Sequence, residues 1–399
     1  FFLSNFFKLE LPMKKKIVIL GSTGSIGKTL LNIISKDRKN FEIILLTADT
    51  NYKLLYKQAK KFNVKNLIIT NTKKFNLLKN INKKKDLNIY NDFKNLKRIF
   101  KSKADYTMSS IIGINGLEPT LDLIKYSKKI AIANKESIIC GWNLINKELK
   151  KNRTQFLPID SEHFSIWYGL QNLKIKNIEE LYLTASGGPF NNLSLNKFKD
   201  IRINQALKHP NWKMGKKISI DSATMINKVY EVIEARNIFN INYKKIKILI
   251  HPKSYVHAIL KFDNGLTKII AHDTTMKIPI FNTLYLNKDK KLKSNTIDIN
   301  SLNNLNLNVI ELKRFPMIKL LNFLPSKNSL FETVIVSAND TLVELFLNNK
   351  IGFVDIQKKL FKIISQKKFL KFKNKHPNKI QDIVELSNYV RLKTLENSI

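Results

Sequence analysis

Two carboxylates stand two residues apart, Asp160 and Glu162, directly after the apolar segment 156–159. Side chains two residues apart in an extended chain project to the same side, so these two are predicted to converge where a strand ends. Carboxylate oxygens are the ligands that hard cations such as Mg²⁺ and Mn²⁺ prefer. A solvated acidic turn would have the same local sequence, and this pair alone leaves both interpretations open.

Further polar residues follow in the segment 221–234, which begins with capping residue types and is predicted to continue as one helix. At helical spacing Asn227, Lys228 and Glu231 share one face. One interpretation is a surface ion pair between Lys228 and Glu231. In the other, Ser222 at the helix start joins Asn227 and Lys228 in holding a phosphate. Glu231 is then a third oxygen ligand for the cation.

A glycine-rich turn at 21–27 links an apolar run at 17–20 to a predicted helix at 25–35. Glycines let a backbone approach a pyrophosphate, and a helix N-terminus supplies free N–H groups and the positive end of its dipole. The spacing G-x-x-G-x-x-G is a variant of the dinucleotide fingerprint, and a tight strand-to-helix turn is the plainer interpretation. Its place at the first strand-to-helix junction favours dinucleotide binding.

The residues after the second predicted strand bear on which dinucleotide would bind. Asp49 stands where a carboxylate accepts a hydrogen bond from a ribose 2′-hydroxyl, which favours NAD. Thr50, Asn51 and Lys53 could instead satisfy a 2′-phosphate. The residues alone leave NAD and NADP both open.

Two loops have the composition of functional segments rather than scaffold. The loop 184–189 follows a strand and offers an available hydroxyl among glycines. The loop 209–215 combines a histidine and Trp212 with Pro and Gly, as expected of a lid, although a tryptophan in such a loop is often simply packed down. His251 and His257 are predicted to pack, because no other residues pair with them as a zinc site requires.

Composition disfavours several other classes of protein. The 70 Lys and Arg against 31 Asp and Glu give a net charge of +39. This excess is spread along the chain and forms no single basic stripe, which disfavours nucleic-acid binding. Cys140 is the only cysteine, so no disulfide framework or thiolate zinc site forms within one chain. No apolar run reaches the roughly 18 residues of a membrane span, and a soluble, cytoplasmic protein is expected.

These residues must be positioned by an α/β fold. Strands alternate with helical segments at first, and such βαβ repetition predicts a Rossmann-like, doubly wound sheet. Beyond Asp160 the strands lie far apart, which predicts a central α+β catalytic domain, and later helical spacing predicts a C-terminal helical domain. The predicted strands are at 17–20, 41–47, 66–70, 106–109, 130–133, 155–158, 178–185, 246–251 and 266–271, and the late helices at 317–323, 330–348, 353–365 and 380–395.

Six segments together resemble the 1-deoxy-D-xylulose 5-phosphate reductoisomerases, NADPH-dependent enzymes of the non-mevalonate route to isoprenoid precursors. The similarity runs in order from about Lys14 into the C-terminal helical region, on segments 21–27, 133–137, 158–163, 185–190, 209–215 and 221–234. The resemblance implies conversion of 1-deoxy-D-xylulose 5-phosphate to 2-C-methyl-D-erythritol 4-phosphate. It also implies a V-shaped subunit in a homodimer, with a small phosphosugar as substrate.

The resemblance implies a role for each site residue. Asp160, Glu162 and Glu231 would hold Mg²⁺ or Mn²⁺, and Trp212 would close over the site. The residues implied in NADPH binding are Thr23, Gly24, Ser25, Ile26, Asn51, Asn134, Glu136 and Gly215. The residues implied at the substrate's phosphate end are Ser186, Ser222, Asn227 and Lys228, with His209 nearby, and those at its hydroxyl-bearing end are Lys135 and Ser161. The predicted catalytic residues are Lys135, Asp160, Glu162, His209 and Glu231.

The pattern and the resemblance together divide the chain into segments. Residues 13–160 are predicted to bind NADPH, and 161–287 to form the catalytic domain with the metal and phosphosugar site. Residues 288–312 are a predicted connecting segment, and 313–399 the helical domain. Residues 1–12 are expected to be a mis-called start or the remnant of a leader.

The chain departs from the family pattern at three places. Asp49 and Thr50 stand where Gly and a basic residue are frequent, which weakens the case for NADPH over NADH. The segments 275–277 and 336–340 read Thr-Met-Lys and Val-Ser-Ala-Asn-Asp in place of Asp-Met-Arg and Asn-Ala-Ala-Asn-Glu. These last two changes touch no implied ligand and are expected to affect stability or dimer packing.

Two other functions stay open from the sequence. A different NAD(P)-linked reductase, such as a semialdehyde dehydrogenase, would need a nucleophilic cysteine, and Cys140 is predicted to be buried and inert. A basic protein that binds nucleic acid or an anionic membrane, with decayed catalytic motifs, is the alternative from another class. The intact set of carboxylates argues against such decay.

Overall fold

The computed structural model describes residues 13–212, 214–286, 290–296 and 299–398. The predicted extension at 1–12 lies outside the described residues. Two β-sheets and a group of C-terminal helices make up the described chain. The candidate site lies between the sheets, because residues at the ends of strands from both sheets line it.

The first sheet has seven strands, and all of its pairings are parallel. They are β1 (Lys15–Leu20), β2 (Phe41–Ala48), β3 (Asn66–Ile69), β4 (Asn88–Tyr90), β5 (Tyr106–Ser109), β6 (Lys129–Ile132) and β7 (Gln155–Pro158). Their order is β4-β3-β2-β1-β5-β6-β7. The order reverses beside β1, which is where doubly wound sheets bind ligands.

Helices cover both faces of the first sheet. They are α1 (Ser25–Ser35), α2 (Tyr52–Phe62), α3 (Thr72–Ile81), α4 (Leu96–Ile99), α5 (Leu117–Ile124) and α6 (Lys135–Asn152). Ile17 and Ile19 of β1 pack into one buried cluster, and Val18 and Leu20 into another on the opposite face. This arrangement confirms the predicted Rossmann-like, doubly wound sheet.

The second sheet is mixed and has five strands in the described chain. They are β8 (Ile178–Ala185), β9 (Ile246–Ile250), β10 (Val256–Phe262), β11 (Thr267–Ala271) and β12 (Asn308–Val309), in the order β11-β10-β8-β9-β12. The sequence pattern misses β10, because nearly all of its residues are buried and the alternation typical of a strand is absent. The predicted connecting segment 288–312 contributes β12, which pairs with β9.

Helices fill the space around and beyond the second sheet. Those of the middle of the chain are α7 (Ser161–Gly169), α8 (Ile203–Ala206), α9 (Lys216–Ala223), α10 (Ile226–Phe239), α11 (Lys277–Tyr285) and α12 (Ile299–Asn303). Those of the C-terminal group are α13 (Phe331–Leu347), α14 (Phe353–Ile364), α15 (Lys367–Leu370) and α16 (Ile380–Glu396).

The C-terminal group packs around α13, which is buried almost all round. It contacts α14 and α16, and its core is continuous with that of the second sheet. The predicted helices at 330–348, 353–365 and 380–395 are confirmed as α13, α14 and α16. The segment predicted as a helix at 317–323 is instead a 3₁₀ helix, Pro316–Phe323, which follows a tighter backbone pattern.

Helix α11 returns from the second sheet to the first. Ile280 and Leu284 belong to the buried cluster that includes β1 and α1. The Tyr285 hydroxyl donates to Asp37 Oδ2 at 3.0 Å, close to the end of α1. The chain therefore passes between the two sheets more than once, and both passages border the candidate site.

Burial of Cys140 removes support from one of the other functions, the reductase that would use a nucleophilic cysteine. No helix within the described residues is both long enough and apolar enough to cross a membrane. Cys140 lies within α6 with no exposed surface, and burial raises the pKa of its thiol well above the usual range. The predicted inert cysteine is therefore confirmed as buried, and it is unsuited to act as a nucleophile.

Replacing Gly27 by Ala is expected to destabilise the fold. A Cβ at this position would lie 2.5 Å from Ser22 Cα and 2.7 Å from Gly21 O, and neither backbone atom can move aside easily. We expect a loss of about 1–3 kcal/mol in the free energy of unfolding, measured by chemical denaturation. Gly215→Ala is the matched control, because no atom lies within 4 Å of the added Cβ. Equal stabilities of the two variants would contradict this account of the turn.

Candidate active site

A cavity of about 410 Å³ lies where the first sheet faces the second. The first turns of α1, α6 and α7 reach it from the first sheet, and the ends of β8 and β10 reach it from the second. The loop 209–215, in its described part, and the helices α9 and α10 complete the lining. The cavity thus brings together residues from widely separated parts of the chain.

Three carboxylates meet in this cavity. Oxygen atoms of Asp160, Glu162 and Glu231 all lie within 4.8 Å of one another. Asp160 and Glu162 were predicted to converge because alternate side chains of an extended strand share a side, and the structure corrects this reason. Asp160 is the residue before α7, and Glu162 lies in the first helical turn rather than in an extended strand. The two side chains converge because the backbone coils into a helix immediately after β7.

Two lysines lie between these carboxylates. Lys135, the first residue of α6, places Nζ 2.5 Å from Asp160 Oδ2 and 3.4 Å from Glu231 Oε1. Lys228 places Nζ 3.0 Å from Glu162 Oε1 and also contacts Glu231. The predicted face of Asn227, Lys228 and Glu231 on one helix is confirmed. The alternative of a surface ion pair is wrong, because the side chains of Lys228 and Glu231 are only 5% and 3% exposed.

Burial and charge compete in setting the pKa values of this cluster. Burial alone would lower the pKa of Lys135, but the facing carboxylates hold it well above its usual range. Burial would raise the pKa of Asp160, but Lys135 and His163 hold it well below its usual range. For Glu231 burial prevails, together with repulsion from Glu162, and its pKa is raised.

Sequence reasoning missed two members of the cluster. Glu234 is almost fully buried, and its Oε2 lies 3.5 Å from Lys135 Nζ. Burial raises the pKa of Glu234 to about 7. His163 donates from Nε2 to the backbone oxygen of Glu231 at 2.8 Å, and facing carboxylates raise its pKa to about 9 despite burial. Both residues follow a predicted ligand by three positions, and this helical spacing is the signal that could have revealed them.

The donor set fits a divalent cation. Mg²⁺ and Mn²⁺ prefer oxygen ligands, and the three converging side chains supply them. Four carboxylates, counting Glu234, face Lys135, Lys228 and His163, so negative charge is in excess when all are ionised. Asp160, Glu162 and Glu231 are the residues that could hold such an ion.

The segment 221–234 is two helices and not one. Met225 has a φ of +65° and separates α9 from α10. Asp221 and Ser222 therefore lie in the last turn of α9 and do not cap the helix that carries Glu231. Ser222 still lines the cavity beside Asn227 and Lys228, so the predicted group of polar residues is present with a different backbone.

His209 is held as a neutral ring of defined orientation. Its Nδ1 accepts hydrogen bonds from the backbone N–H groups of Asn211 and Trp212 at 3.1 and 3.0 Å. The remaining proton is therefore on Nε2, which donates to Ser186 Oγ at 3.1 Å. Burial lowers the pKa of His209 to about 4, so this tautomer persists at neutral pH.

The predicted cofactor residues divide into two groups. Ser25, Ile26, Asn134, Glu136 and Gly215 line the cavity, whereas Thr23, Gly24 and Asn51 lie outside its lining, in the turn after β1 and at the end of β2. Asn134 Oδ1 accepts from Ser137 N at 2.8 Å and so caps α6. Asn51 caps α2 in the same way through Leu54 N at 3.2 Å. Both asparagines thus cap a helix N-terminus, and their contact with the cofactor stays a prediction.

The loop after His209 is fastened to the second sheet. Asn211 Nδ2 donates to Pro252 O at 2.6 Å and to Ser254 Oγ at 2.9 Å. Trp212 lies edge-on to His257, with ring centroids 6.3 Å apart, and lines the cavity. Its movement as a lid stays a prediction. The cluster of possible metal ligands among the described residues includes neither His251 nor His257.

Comparisons with known proteins agree with this geometry. The family model of 1-deoxy-D-xylulose 5-phosphate reductoisomerase matches residues 17–141, the model of its C-terminal domain matches 156–239, and a second model, DXP reductoisomerase C-terminal domain, matches 273–393. A reductoisomerase of this name from Pelagibacter ubique is 60% identical over 387 residues, which are 96% of this chain and 100% of that protein. One from a Wolbachia of Drosophila simulans is 41% identical, over 86% of this chain and 88% of that protein.

Solved structures of similar chains extend the agreement to the whole fold. The Zymomonas mobilis reductoisomerase in complex with NADPH has a TM-score of 0.85 and 31% identity, and the match covers 97% of this chain and 99% of that one. A DOX-P reductoisomerase in complex with NADPH, fosmidomycin and magnesium has a TM-score of 0.87 and 29% identity, over 96% and 98% of the two chains.

A doubly wound sheet with a carboxylate cluster at its ligand-binding edge, together with the similarity to these reductoisomerases, places the chain among the NADPH-dependent oxidoreductases. The full-length similarity narrows this class to one family. The chain belongs to the 1-deoxy-D-xylulose 5-phosphate reductoisomerase family.

Replacing Glu231 by Gln is expected to raise the dissociation constant for Mn²⁺ by at least about tenfold. Glutamine is neutral, so the cluster loses the negative charge of one ligand. Titration of the free protein with Mn²⁺, followed by electron paramagnetic resonance, measures this directly. Glu179→Gln is the control, since Glu179 is 51% exposed and pairs with Lys261 away from the cavity. An unchanged dissociation constant for the Glu231 variant would exclude Glu231 as a ligand.

The hydrogen bonds of His209 predict a pH dependence for the loop that it holds. Its folded pKa of about 4 lies below the ordinary value of 6.5, so the unfolded chain binds more protons between these pH values. The stability that this contact contributes is complete above pH 6.5 and falls as the pH is lowered toward 4. Nitrogen-15 NMR of the imidazole should show the Nε2–H tautomer at pH 7. A ring that titrates near pH 6.5 would contradict the structure.

Proposed function

We propose that the chain converts 1-deoxy-D-xylulose 5-phosphate to 2-C-methyl-D-erythritol 4-phosphate, with NADPH as hydride donor and Mg²⁺ or Mn²⁺ as the metal. The reaction is a retro-aldol/aldol rearrangement followed by reduction of the rearranged aldehyde. The observation that carries this proposal is the cluster of Asp160, Glu162 and Glu231 in one cavity with Lys135 and Lys228. The family relationship, and relatives solved with NADPH and magnesium, support it.

Asp160, Glu162 and Glu231 would hold the metal, which when bound polarises the substrate's carbonyl and neighbouring hydroxyl as a Lewis acid. Lys135 keeps Asp160 ionised, because its ammonium group lies 2.5 Å from that carboxylate. Ser161 Oγ donates to Glu162 Oε2 at 2.5 Å and orients it. Lys135 and Ser161 would contact the hydroxyl-bearing end of the substrate.

The phosphate end of the substrate would lie against hydrogen-bond donors. Ser186 Oγ already accepts from Gly188 N at 3.0 Å and from His209, so its own proton is free to donate to a phosphate oxygen. Asn227 and Lys228 add an amide and an ammonium group from the start of α10, and Ser222 adds a hydroxyl from the end of α9. Charged and neutral donors together suit a phosphate monoester.

NADPH would bind along the ligand-binding edge of the first sheet and supply the hydride. The backbone N–H groups at Thr23, Gly24, Ser25 and Ile26 belong to the turn and first helical residues after β1, where a pyrophosphate is stabilised. Asn51 would contact the adenosine end, and Asn134, Glu136 and Gly215 the part nearer the metal. Asp49 Oδ1 accepts from Thr70 Oγ1 at 2.8 Å, and its effect on the choice between NADPH and NADH is part of the test below.

Trp212 would close over the bound substrate and exclude water from the reacting atoms. Its ring already lines the cavity against His257. His209, at the other end of the same loop, is hydrogen-bonded to Ser186 and would keep it in place.

We further propose that the enzyme is a homodimer in the cytoplasm, with no membrane and no specific nucleic acid as partner. β11 is an edge strand, and Leu266 and Ile269 on or beside it are 65% and 49% exposed. A second copy would cover this apolar surface. Residues 13–160 would form the NADPH-binding domain, 161–287 the catalytic domain and 313–399 the helical domain.

Oxidation of NADPH in the presence of 1-deoxy-D-xylulose 5-phosphate and Mg²⁺ or Mn²⁺ tests the reaction. We expect turnover that stops when the metal is chelated and returns when it is added back. Asp160→Asn, Glu162→Gln and Glu231→Gln should each lower kcat/KM by at least about a hundredfold, because each removes charge from the metal site. Repeating the assay with NADH measures the effect of Asp49 on cofactor choice.

The same assay can overturn the proposal. A folded wild-type protein that oxidises neither NADPH nor NADH with this substrate and either metal would exclude it. Salt-sensitive binding to DNA without turnover would favour the basic binding protein instead. Folding of each inactive variant is checked by circular dichroism, so that loss of the site is distinguished from loss of the fold.

A further inference from the structure

A second buried charge network adjoins the candidate active site and is centred on Lys217. Its Nζ lies 2.7 Å from Glu136 Oε1, 3.0 Å from Asp221 Oδ2 and 3.1 Å from Asp340 Oδ1. The three carboxylate side chains are 9%, 3% and 11% exposed. The Lys217 side chain is 28% exposed and lines the cavity. One ammonium group thus faces three acidic side chains that have little contact with solvent.

The partners of Lys217 belong to three separate parts of the fold. Glu136 follows Lys135 in the first turn of α6, and Asp221 lies one turn further along α9 than Lys217 itself. Asp340 lies on α13, in the C-terminal group of helices. Through these ion pairs the Lys217 ammonium group connects three elements: α6 beside the first sheet, α9 after the loop 209–215, and α13 of the C-terminal group.

Other contacts strengthen the same junction. Asn339 Nδ2 donates to Asp221 Oδ1 at 2.8 Å, and Arg391 of α16 lies 3.2 Å from Asp340 Oδ2. The Lys217 ammonium group also lies 5.5 Å from the centre of the Tyr230 ring. α9 is consequently held at both its start and its end, and Ser222 at its end faces the cavity.

The network is short of positive charge. Burial raises the pKa of Asp340 to about 6 and also raises the pKa of Asp221, although Lys217 opposes both shifts. The carboxylates hold the pKa of Lys217 well above its usual range despite burial. Removing the ammonium group would leave three buried carboxylates with much less compensation, so they would have to move apart or take up protons.

We propose that Lys217 is a positioning residue for the reaction, which aligns α9 and the loop before it with the first turn of α6. Through α9 it sets the position of Ser222, and through Glu136 that of the neighbouring Lys135. It touches none of the three metal ligands. This inference rests on the proposed function, and it adds a residue for which neither the sequence pattern nor the family resemblance implies a role.

The test compares Lys217→Met with Lys217→Arg. Met removes the charge and keeps much of the side-chain length, whereas Arg keeps the charge. We expect Lys217→Met to lower kcat/KM for the phosphosugar by about tenfold to a hundredfold, mainly through a higher KM, because displaced groups bind the substrate less well. Lys217→Arg should restore most of this loss. Lys358→Met is the matched control, since Lys358 is an exposed lysine on helix α14.

Hydrogen exchange of the free protein gives a readout that does not depend on turnover. In Lys217→Met, peptides that cover 209–223 and the first turn of α6 should exchange faster, while peptides from β1 and α1 should not change. If the wild-type enzyme fails to turn over, the proposed reaction fails, and the exchange comparison still decides the role of Lys217. The two proposals can therefore fail separately.

A second variant covers the case in which Lys217→Met does not fold. Asp340→Asn removes one carboxylate from the network and keeps its shape, and it should loosen the same peptides to a smaller degree. In the double variant, Asp340→Asn should partly offset the effect of Lys217→Met, because the two residues share one contact. Unchanged KM and exchange in a folded Lys217→Met protein, or equal losses in the Met and Arg variants, would overturn the proposal.

Discussion

Carboxylates lose most of their hydration when they are buried, and Asp160, Glu162, Glu231 and Glu234 lose it together around one cavity. In the absence of a metal ion, this buried charge must therefore be compensated by positive side chains or relieved by protonation. Lys135 supplies positive charge from α6, beside the first sheet, and Lys228 supplies it from α10, beside the second sheet. Charge compensation is thus also what holds the two halves of the site in register.

The topology of the first sheet explains why these groups meet. Parallel strands all end at the same edge, and each connection to the next strand begins there with a loop or a helix N-terminus. The helices α1, α6 and α7 start after β1, β6 and β7 in this way and bring backbone N–H groups, Lys135 and Glu162 to one edge. The second sheet closes the cavity from the opposite side with Ser186 and His257.

The sequence predicts well what depends on local spacing and poorly what depends on tertiary contacts. The turn at 21–27, six of the seven strands of the first sheet and the face of α10 follow from short-range patterns and are confirmed, whereas the short strand β4 was not predicted. The break at Met225 has no such signal, because a left-handed methionine is imposed by packing and not by its own preference. The Lys217 network has no such signal either, because its role depends on burial and on partners far away in the chain.

Helix α11 makes the first half of the molecule discontinuous along the chain. Ile280 and Leu284 fill the core beside α1, although more than a hundred residues of other structure separate them from β7. A fragment that ends after β7 would lack these two side chains and would expose the groove that they occupy. Proteolysis after β7 would therefore not release the first sheet with its core complete. The chain joins the two halves at two places beside the cavity, before α7 and before α11. Two connections restrict rotation of one half relative to the other more than a single connection would.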